Sequence, residues 1–216
     1  MSAKRFGCIL VLAMFAAAPT VARGQEPRLV RRIPDATRAR IDSILAAARV
    51  RGLPIEPLVD RALEGSAKGA PPAAIVAAVT RLRDELVVVR GAFGETATTA
   101  ELTAGTSALR AGATAEALAR LRKQRPGQLL TVAAAVMADL VAAGVPADTA
   151  VGAVLALAHD ADDADYLAFR RNVQRDIVLG ASPAAALAVR IRFATESADA
   201  PGNPSTGQTA TPKRKP

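Results

Sequence analysis

The sequence predicts an all-α fold: an array or bundle of about seven to nine short, Ala-rich helices joined by Gly-x-Pro/Thr/Ser corners, with a disordered C-terminal tail. Three observations carry this. Apolar residues recur at spacings of three and four through most of the chain. Strand-like composition is confined to Leu86-Val87-Val88-Val89, which itself continues a helical pattern. Glycines followed by Pro, Thr or Ser punctuate the helical stretches at Gly52, Gly69, Gly112, Gly144 and Gly180, 17, 43, 32 and 36 residues apart. Several of these intervals approximate one or two units of 17 to 18 residues, which suggests stacked helix-corner units. The bulky signature residues of tetratricopeptide repeats are missing, so no named solenoid is implied. Half of the 216 residues are hydrophobic but only 3% are aromatic, so the core must be built from thin, closely packed helices.

Residues 1–24 read as a signal peptide. Lys4 and Arg5 form the positive start, Cys8 to Ala18 the apolar run, and the small residues around Ala22 and Gly24 two cleavage points. The run is too short for a stable membrane span, which needs about 20 apolar residues. Cys8 precedes the apolar run instead of closing it, which argues against lipid attachment there. Cleavage removes the only cysteine, so the mature chain has no thiol for catalysis, metal binding or a disulfide. A cut after Ala22 leaves 26 basic against 20 acidic residues, a net charge of +6. The expected destination is outside the cytoplasm, periplasmic or secreted.

Residues 25–34 are expected to form a basic, extended, solvated arm, continued by further basic residues to Arg40. Its arginines Arg28, Arg31, Arg32, Arg38 and Arg40, with Lys213, Arg214 and Lys215 at the far end of the chain, are the candidate contacts to an anionic surface. Near anionic lipid each basic residue contributes about 1 kcal/mol. A single helical domain is expected over residues 35–196. Asp35 is placed to cap its first helix, and Ile41, Ile44, Leu45 and Ala48 form one apolar stripe that ends at Gly52. The second helix is expected from about Glu56 to Ala67, because Pro54 and Pro57 fit only a helix entry. In the third, Ile75, Val79, Leu82, Leu86 and Val89 make a narrow seam, with Arg81, Arg83, Asp84 and Glu85 outside it.

A break is expected from Gly91 to Ala97. Thr98 and Glu101 then form a capping-box signature for a helix that Gly105 weakens. Thr114 caps a short helix carrying Leu118 and Leu121. The central element is an apolar hairpin, Gln128 to Asp160, folded back at Gly144-Val145-Pro146. Asp139, Pro146 and Asp148 make it a poor membrane hairpin. Four carboxylates in Asp160 to Asp165 suggest calcium, but the sixth and twelfth loop positions hold Asp165 and Arg171 where Gly and Glu are needed. Asp160 or Asp162 as a helix cap explains the cluster better. Tyr166, Phe169, Val173 and Ile177 face the core of the next helix, and Leu187, Ile191 and Phe193 that of the last. Residues 197–216 are rich in Pro, Gly, Ser and Thr and are expected to be disordered.

Several chemistries are disfavoured. His159 is the only histidine and stands at a helix end, where the dipole favours it. There is no GxGxxG, Walker or GxSxG motif. Asp139, in the apolar hairpin, is the one suggestive carboxylate: a buried carboxylate can serve as an acid of raised pKa, but more often it is exposed at a gap in the packing or paired with an arginine of a neighbouring helix. The absence of Trp and the single Tyr disfavour carbohydrate and single-stranded nucleic acid as ligands. No catalytic residue, metal ligand or cofactor is therefore expected, nor a nucleic-acid partner or a transmembrane segment in the mature chain. The function expected is that of an exported, non-enzymatic interaction module for an envelope protein partner. The alternatives are docking on anionic lipid or envelope polymer through arm and tail, and carriage of a small apolar ligand.

Overall fold

The computed structural model describes residues 26–199, with side chains described through Ala194. The expected signal peptide and residues 200–216 of the tail, with Lys213, Arg214 and Lys215, lie outside the described residues. Among the described residues there are ten helices and no strand: α1 (Pro27–Val30), α2 (Asp35–Val50), α3 (Glu56–Ala67), α4 (Pro72–Phe93), α5 (Thr99–Arg110), α6 (Ala115–Gln124), α7 (Thr131–Ala142), α8 (Ala147–Leu157), α9 (Asp163–Val178) and α10 (Pro183–Asp199). None is long and apolar enough to cross a membrane.

The helices stack in two rows. The even-numbered helices α2, α4, α6, α8 and α10 pack each on the next. In the other row α1 packs on α3, and α5, α7 and α9 follow one another. Rungs between consecutive helices, α3 on α4, α4 on α5, α7 on α8 and α9 on α10, join the rows. The single core runs the length of the stack, from Leu29 and Ile41 through Leu86, Leu102, Leu118 and Met137 to Tyr166 and Leu187. The central hairpin is α7 and α8, with Gly144 at φ 93° between them. α7 is covered by α5, α8 and α9, which is why its apolar residues lie nearly all round it.

Six expectations are corrected. The helices among the described residues number ten instead of about seven to nine, because the arm adds one, and the last helix runs to Asp199, three residues into the stretch expected to be disordered. The arm is neither wholly extended nor solvated: Pro27–Val30 is a helical turn, Leu29 and Ile33 are buried, and Ser66 Oγ donates to the Arg32 carbonyl at 2.6 Å. Two apolar residues among the arginines suffice to dock the segment on α2 and α3. Asp35 is the first helical residue after the N-cap Pro34, and its carboxylate pairs with Arg38 at 2.8 Å. Helix α4 runs through Gly91 to Phe93 and stops only at Gly94, φ 90°. Burial of Phe93, the next position of the α4 seam, outweighs the roughly 1 kcal/mol helix penalty of glycine. Phe193, expected inside, is exposed, while Leu187 is buried.

Candidate interaction groove

Helix α4, with 22 residues, is the longest element, about 33 Å end to end. Its seam of Ile75, Val79, Leu82, Leu86, Val89 and Phe93 is buried, and α3 and α5 both pack on it. Close approach fixes each contact. A Cβ on Gly65 of α3 would stand 3.1 Å from Ile75, and one on Gly105 of α5 would overlap Val89 and come within 3.0 Å of Phe93. Gly105, which weakens the isolated helix, is thus the point at which α5 seats on α4.

Although both rest on α4, α3 and α5 share no extensive contact with each other. Between them a strip of α4 is left open, forming a groove of about 390 Å³ floored by Ala74, Ala77, Ala78, Arg81 and Glu85. Arg61 of α3 and Arg110 of α5 stand on its walls. Past Arg81 it runs into a shallower, more apolar hollow against Thr80, Asp84, Val88 and Leu109. Val88 is 42% exposed there. The guanidinium groups differ in their partners. Arg110 Nε donates to Glu85 Oε2 at 2.8 Å, and Arg61 Nη1 to Glu64 Oε2 at 2.8 Å. Lys68 and Arg61, hydrogen-bonded to the Glu64 carboxylate, hold its pKa below the usual range. Arg81 is exposed and makes no hydrogen bond or ion pair among the described residues.

The α5 wall is anchored from its other end by a buried carboxylate. Glu101, 2% exposed, accepts at Oε2 from Thr98 N (2.9 Å) and Thr98 Oγ1 (3.0 Å). At Oε1 it accepts from Leu130 N (3.0 Å) and Arg122 Nη2 (2.6 Å). Burial pushes this carboxyl up, but the bonds from the Thr98 and Leu130 backbone, the Thr98 hydroxyl and Arg122 together outweigh it and hold it below the usual range. Arg122 also donates to the Phe93 and Gln128 carbonyls at 3.2 and 2.8 Å and lies over the Phe93 ring. One cluster therefore ties α4, α5, α6 and the start of α7. Arg125, itself buried, does the same further along: it donates to the Ala161 carbonyl, pairs with Asp163 at 3.5 Å and lies over Tyr166.

The residues singled out from sequence are dispersed. Arg28 is held by Glu26 at 2.8 Å and Asp60 at 3.4 Å, and Arg38 by Asp35 and the Val30 carbonyl. Arg31, Arg32 and Arg40 are exposed, with no side-chain ion pair among the described residues. Asp139 pairs with Arg170 of α9. His159 is exposed in the turn after α8. Asp162 caps α9 in a reciprocal pair with Asp165, each accepting at 2.9 Å from the other's backbone N–H. Among the described residues no group of three or more His, Cys, Asp or Glu side chains is placed to hold a metal ion. Comparison of the chain with protein-family models, with curated proteins and with solved structures finds no match. The groove residues Arg61, Arg81 and Arg110 were not anticipated as a site. The available signal was the outer face of α4, where Ala73, Ala74, Ala77 and Ala78 leave a full turn and more without long side chains.

Proposed function

We propose that this chain is an exported, non-enzymatic helical scaffold that binds an envelope protein partner through the groove between α3 and α5. The observation that supports this most directly is the gap itself. Two helices seated on one long helix leave between them a solvent-open, alanine-floored strip with an unpaired arginine in it. Stacked helix pairs with such open faces suit recognition of extended surfaces. The test is recovery of partners from the envelope fraction by the mature chain and by an Ala77→Trp variant, at low and high salt. Ala77 is exposed, so the indole fills the groove without disturbing the core. The wild type should retain a partner in high salt that the variant loses. Equal recovery by both, or recovery by neither, would defeat the reading.

The exposed arginines Arg31, Arg32 and Arg40 favour a second reading, docking on anionic lipid or polymer. Because Leu29 and Ile33 belong to the core, the clean test is charge reversal at these three arginines, not deletion of the segment. Vesicle binding that disappears both in high salt and in the reversed variant would support it. Binding indifferent to either change would exclude it.

A further inference from the structure

We infer that the occupant of the α3–α5 groove is an acidic amphipathic helix of a partner protein, lying along α4 in the place where the row of helices is interrupted. This deepens the docking reading above and rests on it. Backbone chemistry selects the helix. The floor and walls are the side chains of α3, α4 and α5, whose main-chain groups are used within their own helices, and no sheet edge exists among the described residues. A segment that leaves water to cover Val88 and Leu109 must satisfy its own N–H and C=O groups, and a helix does so.

Shape sets the contact face. Ala74, Ala77 and Ala78 carry nothing beyond Cβ, so a second helix can approach near the lower end of the usual interaxial range of about 8–10 Å. It must then present small residues to the alanines and one larger apolar residue to the hollow at Val88 and Leu109. From Ala74 to Val88 the strip is about 21 Å long, the rise of roughly four turns. Charge sets the sign. Glu64, shared with Lys68, and Glu85 pair with Arg61 and Arg110, whereas Arg81 forms no ion pair among the described residues. A carboxylate on the incoming helix completes it with a bidentate, charge-assisted pair. The chain's own tail is the wrong occupant, since Lys213, Arg214 and Lys215 are basic and prolines interrupt residues 201–216.

The test is selection from a displayed library of random helical peptides of about four turns against the immobilised full chain. The binders are re-measured by fluorescence anisotropy on Ala77→Trp and Arg81→Glu. Enriched peptides should carry Asp or Glu beside a small-residue face, lose binding on Ala77→Trp, and weaken roughly tenfold or more on Arg81→Glu. Peptides lost on Ala77→Trp but indifferent to Arg81→Glu would overturn the acidic helix and leave the groove as the docking site. Peptides indifferent to both variants, or no enrichment at all, would overturn both.

Discussion

Replacing Glu101 with Ala should be among the most destabilising single changes in this fold. The side chain is 2% exposed and accepts four hydrogen bonds, from Thr98 N, Thr98 Oγ1, Leu130 N and Arg122 Nη2. Its loss leaves Arg122, whose side chain is 25% exposed, without its carboxylate; breaking a fully buried ion pair costs about 3–5 kcal/mol, which sets the upper bound here. Arg122 keeps the Phe93 and Gln128 carbonyls and the Phe93 ring, which moves the figure toward the lower end. The orphaned N–H of Leu130, a fully buried residue, moves it back up, at about 1–3 kcal/mol for an unmade buried bond. These contributions overlap, so the expected total is about 3–5 kcal/mol. The Tm should fall by roughly 6–20 °C for a domain of this size. The assay is urea unfolding followed by helical circular dichroism, reading the midpoint at constant slope. A loss below about 1 kcal/mol would refute the cluster as the anchor of α5. The pH dependence is a second readout. A carboxyl held below its ordinary value of 4.5 stabilises fully above that value, and its contribution disappears as pH falls through the lower, folded-state value. Glu101→Gln should therefore lower stability at neutral pH and flatten the loss below pH 4.5.

Gly105→Ala should destabilise by about 1–3 kcal/mol by overpacking Val89 and Phe93, despite the better helix former. Gly152→Ala, within α8 and with nothing in contact range of the new methyl, should stabilise by about 0.5–1 kcal/mol, both read as urea midpoints. Leu29→Ala should cost about 2–4 kcal/mol if α1 is docked, where a solvated arm would give almost nothing. Tyr166, the only tyrosine, is buried and donates to the Val154 carbonyl at 3.0 Å, and burial pushes its phenol up to about 12. Its stabilising contribution is complete below pH 10 and declines as pH rises toward 12, so ultraviolet titration should show no phenolate at pH 10 until urea unfolds the chain.

Local chemistry carried most of the fold. Helix α3 spans Glu56–Ala67 as the prolines and the following glycine imply, the α4 seam is buried at all five expected positions, and Thr98 with Glu101 forms the reciprocal cap. The discrepancies have long-range causes. Gly91 stays helical because Phe93 finds a pocket under Arg122, and α1 forms because Leu29 and Ile33 meet α2 and α3. Of these partners, Arg122 and α3 are both distant in sequence from the segments they hold. The two-row order is equally hidden. Alanine faces permit many crossings and specify none, so periodicity names a helix's inner face without naming what covers it.

The site shows the same division between composition and position. Basic residues outnumber acidic ones by eight, which drew attention to the densest run, at Arg28 to Arg40. Folding brings carboxylates to two of those five arginines and leaves three on an ordinary solvated face. Along α4 and its neighbours, Arg61, Arg83 and Arg110 each hold a carboxylate within 2.8 Å. Arg81 does not, and it stands over alanines between two helices that leave each other apart. An unpaired charge on a convex face is fully solvated and gains little from any partner. An unpaired charge in a concave groove gains strength from whatever displaces the water around it, because the same carboxylate acts through a lower dielectric. On the proposed reading, that difference in surroundings, not the number of arginines, selects the α3–α5 groove as the docking site.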